Sequence, residues 1–256
     1  MLMPMRRLLE PAVNIFLPPL CALTGERLPH RGMSLSETVI RELVEQGERP
    51  YCYHCGRTML EASANLRHAC NACNRRKAPP RMLLRLGEFG GSLSQIILRI
   101  KFGGRFELAA AVAPVWHQAI THNLDLLGRP PVDALIPVPL HWRRRVQRGF
   151  NQAEELALAL ARLGHWPVIH ALTRRRSTSE QARALGALQR RMNMRQAFTT
   201  RPRINLRGQH VWLIDDVRTS GATLAGAARA LQQLPLRQRP ASVNAIVLCV
   251  TQPRAD

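Results

Sequence analysis

The sequence has almost no lysine and few acidic residues. Only Lys77 and Lys101 are lysines among its 37 basic residues, and 17 acidic residues leave a formal net charge of +20. Arginine presents a planar fork that suits phosphate oxygens, and it keeps its charge. The shortage of acidic side chains therefore favours polyanionic partners, namely nucleic acid, nucleotides or both. An arginine-rich coding bias would replace lysine, but it would not by itself create the excess of positive charge.

Aromatic side chains are also scarce. They make up 5% of the chain, and only two of them are tyrosines. Proteins that hold single strands by base stacking need exposed rings. The scarcity therefore predicts that stacking is a minor contribution to any nucleic-acid contact, and that sequence preference is weak.

Long apolar runs are absent. No segment reaches the ~18–20 uncharged residues that a membrane helix needs. Near the start of the chain, Arg6 and Arg7 precede an apolar segment at 13–20, but Glu10 and three prolines interrupt the region. No small-residue cleavage site follows, which argues against a signal peptide. We expect a cytoplasmic protein without membrane insertion.

Six cysteines in such a chain indicate a metal site rather than disulfides. Four of them form two Cys-x-x-Cys pairs, which are Cys52 with Cys55 and Cys70 with Cys73. Two such pairs supply four thiolates to a closed tetrahedral site, the usual arrangement of structural zinc. The alternative is four free thiols in an ordinary loop, and the nearby His54 and His68 are alternatives to one of the sulfur ligands.

The chain divides at Pro79-Pro80 into a cysteine-rich module, residues 1–80, and an α/β domain, residues 81–256. In the second part, apolar strands at 132–138, 168–172, 211–214 and 243–250 alternate with helices. These helices begin near Ser92, Glu107, Asn151 and Ala222. The alternation predicts a mainly parallel sheet, with the ligand beyond the carboxyl ends of its strands. We interpret the basic segment 182–197 as a lid, and we identify no internal repeat.

The segment 211–223 carries the strongest functional pattern. An apolar strand ends in Asp215 and Asp216, and a loop with hydroxyl and glycine residues leads into a helix. Loop amides and a helix N-terminus attract phosphate, whereas carboxylates suit neutral donors such as ribose hydroxyls. A turn capped by aspartate would explain one acid and one glycine, but not two acids with three hydroxyl residues. The pattern predicts a ribose 5′-phosphate site formed by Asp215, Asp216, Thr219, Ser220, Gly221, Ala222 and Thr223.

This motif resembles the phosphoribosyl pyrophosphate (PRPP) loop of type I phosphoribosyltransferases, and the wider chain resembles the ComF family. Further matches are His-x-x-Arg-Arg-x-x-Arg-Gly-Phe-Asn-Gln-Ala at 141–153, and segments at 172–182 and 190–198. The resemblance implies a zinc module before a type I phosphoribosyltransferase-like domain, and a link to competence and DNA utilisation. The chain departs from the family at Cys21, because Thr24 stands where a second zinc-binding pair would have its other cysteine.

The resemblance also implies that PRPP binds with Mg²⁺, which would bridge diphosphate and ribose oxygens. In related transferases the pyrophosphate loop occupies the position of Arg143, Arg144, Arg145 and Arg148 in this chain. These arginines would neutralise the diphosphate, contact a nucleic-acid backbone, or form a solvated face. Transfer from PRPP passes through a ribosyl cation, so positioning and charge stabilisation dominate catalysis. His141 is a candidate base, but a histidine beside arginines is more often a surface residue, and we assign no catalytic residue.

Three functional interpretations stay open. The chain is a phosphoribosyltransferase with an unidentified acceptor, a PRPP sensor without turnover, or an accessory protein that binds nucleic acid. The expected partners are PRPP or a related ligand, single-stranded DNA, and proteins of competence or DNA processing.

Overall fold

Helices and strands alternate along most of the chain. The computed structural model describes residues 18–30, 32–59, 70, 73, 80–128, 130–140, 146, 149–174 and 197–252. The strands are β1 (Leu83–Glu88), β2 (Ala134–Pro137), β3 (Leu172–Arg174), β4 (Phe198–Thr200), β5 (His210–Arg218) and β6 (Ser242–Val250). The helices are α1 (Glu37–Glu48), α2 (Gly91–Gly103), α3 (Glu107–Leu126), α4 (Gln152–Gly164) and α5 (Ala222–Gln232).

The central layer is a four-stranded sheet in the order β1-β6-β5-β2. All of its pairings are parallel. Leu213 of β5 is paired with Ile136 of β2 on one side and with Ala245 of β6 on the other. Every residue of β6 is buried, as expected for an inner strand covered on both faces. The predicted α/β fold with a mainly parallel sheet is confirmed.

Residues that alternate along each strand divide the core into two parts. Trp212 and Ile214 of β5 pack in one cluster with α1, α2, α3 and α4. Val211 and Leu213 of the same strand pack in a second cluster with α5 and the pair β3-β4. This period of two places helices on both faces of the sheet. It also sends consecutive residues at the end of β5 toward opposite faces.

The ends of two helices agree with the sequence prediction. Helix α2 stops where Gly104 adopts a left-handed conformation (φ 62°) and its N–H bonds the Arg99 carbonyl. Helix α4 begins after Asn151 and ends at Gly164, with His165 in a left-handed conformation (φ 52°). Such C-terminal residues satisfy carbonyl groups that would otherwise lack a partner.

The predicted strand at 168–172 is only partly right. Val168 makes an isolated parallel bridge to Leu135, and the regular strand β3 starts at Leu172. Strand β3 pairs antiparallel with β4 rather than joining the parallel sheet. The lid interpretation of 182–197 falls almost entirely outside the described residues, which resume at Ala197, immediately before β4.

Three elements were missed in the sequence, namely β1, β4 and α1. Strand β1 has the sequence Leu-Leu-Arg-Leu-Gly-Glu, and the charged Arg85 in its centre interrupts the apolar run that would have indicated a buried strand. The structure buries Arg85, whose guanidinium lies 4.7 Å from the Tyr51 ring centroid and donates to Thr58 at 2.7 Å. Tertiary contacts thus make a charged residue compatible with an edge strand of the sheet.

An internal repeat appears in the N-terminal region, contrary to the sequence prediction. We call the segments 19–28 and 50–59 knuckle 1 and knuckle 2; both read Pro-x-Cys-x-x-x-Gly. Three backbone hydrogen bonds of one knuckle have a counterpart in the other. In knuckle 1 they run from Cys21 N to Glu26 O (2.7 Å), from Gly25 N to Cys21 O (2.9 Å) and from Leu28 N to Pro19 O (2.8 Å). In knuckle 2 they run from Cys52 N to Arg57 O (2.9 Å), from Gly56 N to Cys52 O (2.7 Å) and from Met59 N to Pro50 O (2.9 Å).

Knuckle 2 packs directly on the sheet. The Leu83 N–H donates to the Tyr53 carbonyl at 2.6 Å. Gly56 has a left-handed backbone (φ +71°), and a Cβ there would lie 2.6 Å from Cγ1 of Val250. Glycine is therefore required at this position for both conformation and space. The division of the chain at residue 80 remains a prediction.

None of the helices in the described part of the chain combines the length and the hydropathy that a membrane crossing requires.

Candidate functional site

A polar cavity of about 500 Å³ opens at the carboxyl ends of β2 and β5. Its walls include the segment Val138–Leu140 after β2, Asp215 and Asp216 of β5, and Thr223 in the first turn of α5. The loops that follow parallel strands meet at this edge of a sheet, where α/β proteins usually bind ligands. The cavity therefore lies where the sequence predicted a ligand site.

Asp216 forms an ion pair that the sequence did not predict. Its Oδ2 lies 2.8 Å from Nζ of Lys101, in the last turn of α2, and the two side chains are 13% and 23% exposed. The Val217 N–H also donates to Asp216 Oδ1 at 2.6 Å. One signal was available: Lys101 is a rare lysine in a chain that otherwise uses arginine, and it stands just before Gly103-Gly104.

Asp215 is the less easily ionised acid of the pair. Burial, followed by the neighbouring charge of Asp216, raises the pKa of Asp215 to about 7, although the Asp216 N–H, Lys101 and Arg174 act in the opposite direction. The Asp216 N–H donates to Asp215 Oδ1 at 2.9 Å. Two adjacent acids in a half-buried site repel each other, which favours the protonated form of one of them. A ligand that supplies hydrogen-bond donors would relieve this repulsion.

The loop after β5 leads directly into α5. Gly221 is the N-cap residue, with a left-handed backbone (φ 77°), and it carries no capping side chain. Ser220 Oγ accepts a bond from the Ala222 N–H at 3.4 Å. The Arg218 guanidinium lies close to this turn, because a Cβ at Gly221 would be 3.1 Å from its Nε. Amides of a helix N-terminus and a nearby guanidinium together suit an anion.

The structure brings together only part of the predicted site around the cavity. Asp215, Asp216 and Thr223 line it, whereas the residues between, Thr219, Ser220, Gly221 and Ala222, form the adjoining turn and the start of α5. The arginines proposed for the diphosphate, Arg143, Arg144, Arg145 and Arg148, lie outside the described residues, as does His141. Their roles stay predictions.

Further cavity residues come from segments that the sequence analysis left without a role. Arg174 at the end of β3 lies against Phe198 of β4, with 5.3 Å between its guanidinium carbon and the ring centroid. Asn151 and Gln152 stand at the start of α4, and Phe102 follows Lys101. Sequence order separates these residues, so only the fold shows that they share one cavity.

The four paired cysteines converge in space. The sulfur atoms of Cys52, Cys55, Cys70 and Cys73 all lie within 4.8 Å of one another. Those of Cys55 and Cys70 are 3.6 Å apart, and the Cys70 N–H donates to Cys52 Sγ at 3.3 Å. A tetrahedral site with bonds of about 2.3 Å to sulfur has sulfur atoms about 3.8 Å apart. The four cysteines can therefore hold a metal ion.

Cys21 in knuckle 1 has different partners. Its Sγ accepts the N–H of Thr24 at 3.4 Å and that of Ser36 at 3.2 Å. Burial alone would raise the pKa of the Cys21 thiol, but bonds from Thr24, Leu23 and Ser36 lower it to about 7. The Cys21 sulfur thus accepts hydrogen bonds from backbone amides of the protein. In the described part of the chain, the four paired cysteines form the only cluster with three or more metal-binding side chains.

The fold and the site define an α/β protein with a polar cavity at the ends of its parallel strands and a cysteine cluster beside its sheet. No family model matches the chain. The chain is 33% identical over 206 residues to the DNA utilization protein YhgH of Escherichia coli O157:H7, covering 80% of this chain and 86% of the relative. It is 31% identical over 195 residues to Competence protein F of Haemophilus influenzae, covering 74% and 81%. The identity to Competence protein ComFC of Bacillus subtilis is 28% over 203 residues, covering 77% and 76%. The chain belongs to the ComF family.

Proposed function

We propose that this chain binds PRPP in a type I phosphoribosyltransferase-like site and acts in DNA uptake or utilisation. The observation that carries the proposal is the meeting of two adjacent carboxylates with the first turn of α5 around one cavity. Such a site serves phosphoribosyl transfer to an acceptor, or it serves as a sensor of PRPP without turnover.

The chemistry of the site matches the parts of PRPP. Asp215 and Asp216 offer oxygen acceptors to the ribose 2′- and 3′-hydroxyls. The turn at Thr219–Thr223 offers amides and hydroxyls to the 5′-phosphate. Lys101 supplies positive charge beside the two acids. When bound with the ligand, Mg²⁺ would stabilise negative charge on the departing diphosphate.

The role in DNA utilisation rests on two independent supports. Relatives that share four-fifths of the chain are named for DNA utilisation, and others are named for competence. The net charge of +20 also favours phosphate-rich partners. Single-stranded DNA and proteins of competence or DNA processing are the proposed partners. The second candidate function, an accessory that binds nucleic acid without using PRPP, rests on the same charge.

The double variant Asp215→Asn/Asp216→Asn tests the PRPP site. Hydrogen bonds to charged groups contribute about 1.5–3 kcal/mol each, so we expect PRPP affinity to fall at least tenfold in calorimetry with Mg²⁺. Asp125→Asn is the matched control, because this carboxylate of α3 does not line the cavity. Unchanged affinity in the folded double variant would refute the assignment.

We also propose that the four-cysteine cluster binds a structural zinc ion. Four sulfur donors at these separations suit zinc, and a closed site of this kind contributes to folding rather than to catalysis. Its ligands would be Cys52, Cys55, Cys70 and Cys73.

A further inference from the structure

One of the two lysines of the chain lies at the acidic end of the cavity. Lys101 belongs to the last turn of α2, and its Nζ lies 2.8 Å from Oδ2 of Asp216. Both residues line the cavity, and their side chains are only 23% and 13% exposed. The other carboxylate oxygen of Asp216 accepts the Val217 N–H at 2.6 Å. In the ligand-free protein, donors from the chain itself thus engage both oxygens of Asp216.

This ion pair competes with the ligand of the proposed site. A ribose hydroxyl would use Asp216 as its acceptor, but a neutral hydroxyl binds a carboxylate less strongly than an ammonium group does. A ligand with a second anionic group beside its ribose offers Lys101 a new partner and thereby frees the carboxylate. A ligand with only a 5′-phosphate, which belongs at the turn 219–223, leaves Lys101 without a replacement partner.

The side chain of lysine suits such an exchange of partners. Arginine grips a carboxylate with two parallel N–H groups, whereas lysine carries a point charge on a flexible stem. The helix beneath it is fixed, because Ile97 and Ile100 are buried and the Ser92 N–H donates to Glu42 Oε1 at 2.9 Å at the start of α2. The exchange therefore needs only a rotation of the Lys101 side chain within a cavity of about 500 Å³.

We propose that Lys101 is a specificity-determining residue, which holds Asp216 in the ligand-free protein and transfers to a second anionic group of the ligand. The exchange selects sugar phosphates with an anionic group beside the ribose, such as a diphosphate, over sugar phosphates with a single phosphate. This inference rests on the proposed function and adds to it the means by which the site chooses among ligands.

The first experiment compares PRPP with ribose 5-phosphate in calorimetry at constant Mg²⁺. It is done at about pH 8, above the pKa of about 7 of Asp215. In Lys101→Met we expect PRPP to bind about tenfold more weakly, because a charge-assisted contact is lost. Ribose 5-phosphate should bind about threefold more tightly, because no ion pair has to open. Arg99→Met is the matched control, since it removes the same charge from α2 outside the cavity.

A second variant separates exchange of partners from a simple effect of charge. Lys101→Arg keeps the charge and offers two parallel donors to Asp216. We expect it to bind ribose 5-phosphate more weakly than the unaltered protein does, which is opposite to Lys101→Met. If Lys101 acted only through its field, Lys101→Arg would leave this affinity unchanged and Lys101→Met would lower it. That pair of results would overturn the inference.

Selective isotope labelling of lysine observes the exchange directly in nuclear magnetic resonance, because the chain has only Lys77 and Lys101. Lys77→Arg leaves one set of lysine signals and so assigns that of Lys101. Asp216→Asn should move the ε-methylene signal of Lys101 toward its position in urea-unfolded protein. PRPP with Mg²⁺ should also move this signal in the otherwise unaltered site. A Lys101 signal that stays in place at saturation with PRPP would contradict the exchange.

The failure of this inference is distinguishable from failure of the proposed function. If the unaltered protein binds both ligands and Lys101→Met changes both affinities by the same factor, Lys101 makes no selection and only the inference is overturned. If neither PRPP nor ribose 5-phosphate binds the unaltered protein, the proposed function is removed and the inference with it. Urea unfolding of each variant checks that the comparison is made on folded protein.

Discussion

At the scale of single residues, the end of β5 concentrates the unusual electrostatics of the protein. Asp216 pairs with Lys101 of α2, whereas the charges of Lys101 and Arg174 only partly offset the effects of burial and of Asp216 on Asp215. The ammonium group lies only 2.8 Å from Asp216, whereas burial raises the pKa of Asp215 to about 7. Near neutral pH, Asp215 is therefore partly protonated in the ligand-free protein, and the two acids together carry less than two negative charges.

This arrangement predicts a pH-dependent stability. The pKa of Asp215 is about 7 in the folded protein, whereas that of an unfolded aspartate is about 3.9. The folded state therefore binds more protons between these values, so this residue makes stability fall as pH rises from about 4 to about 7, with no further loss well above pH 7. From about pH 6 to pH 7.5, we expect the contribution of Asp215 to unfolding free energy to fall by about 1 kcal/mol, because one pKa unit corresponds to about 1.4 kcal/mol.

Urea unfolding of the ligand-free protein at both pH values measures this effect. Asp215→Asn should remove that part of the pH dependence, while groups elsewhere, including Cys21, titrate alike in both proteins. An identical change of stability with pH in Asp215→Asn and the unaltered protein would contradict the prediction.

At the scale of elements, the two knuckles share a backbone but differ in their sulfur chemistry. Cys21 and Cys52 occupy equivalent positions, as do Thr24 and Cys55. Amide donors from Thr24 and Ser36 surround the sulfur of Cys21. In knuckle 2, the second cysteine and the pair Cys70 and Cys73 complete a four-sulfur cluster. Backbone hydrogen bonds thus hold the turn in both copies, whereas the cysteine sulfur is satisfied by amide donors in one copy and, in our proposal, by metal in the other.

This equivalence provides a matched test of the proposed zinc site. Cys52→Ser should lose the metal, while Cys21→Ser should retain about one zinc per chain in elemental analysis, because serine can still accept the two N–H bonds. Metal binding and folding are coupled in such modules, so Cys52→Ser should also destabilise the region around knuckle 2. Metal loss in Cys21→Ser, or a well-folded native protein without metal, would refute this ligand set.

At the scale of the whole molecule, one hydrophobic cluster joins the N-terminal region to the sheet. It includes Cys21, Leu43 and Tyr53 together with Leu84, Trp116 and Ile214. Knuckle 2 additionally bonds β1 through the Tyr53 carbonyl. A change in the cysteine cluster should therefore be felt by the edge of the sheet next to it. The net charge of +20 governs long-range attraction to polyanions.

The charge predicts salt-sensitive binding of single-stranded DNA. Each phosphate neutralised by arginine releases counterions, so affinity should fall at least tenfold between about 50 and 200 mM salt. Fluorescence anisotropy of a labelled oligonucleotide measures this, with PRPP and Mg²⁺ as a competitor. Competition would place both ligands at one cavity, whereas independent binding would assign DNA to another face. No DNA binding at low salt would reject the nucleic-acid role.

The sequence by itself determined the features that depend on local order. A run of apolar residues ending in two acids and a glycine turn specifies a strand, a bend and a helix, as found for β5 and α5. Glycines near the ends of the periodic segments predicted where α2 and α4 stop. The left-handed residues there are Gly104 and His165, and they satisfy free carbonyl groups. The spacing of the two Cys-x-x-Cys pairs also predicted the four-sulfur cluster.

Only the tertiary structure decided which distant residues meet. Lys101 pairs with Asp216, and Asn151 with Gln152 joins Phe102 at one cavity, although these residues come from separate segments. Strand β1 escaped prediction because its central Arg85 becomes acceptable only when Tyr51 and Thr58 pack against it. The repeat of the two knuckles was also not predicted, because the two segments have only a proline, a cysteine and a glycine in common and their likeness lies in their backbone hydrogen bonds. Such contacts depend on how the strands are ordered, which local patterns of residues do not encode.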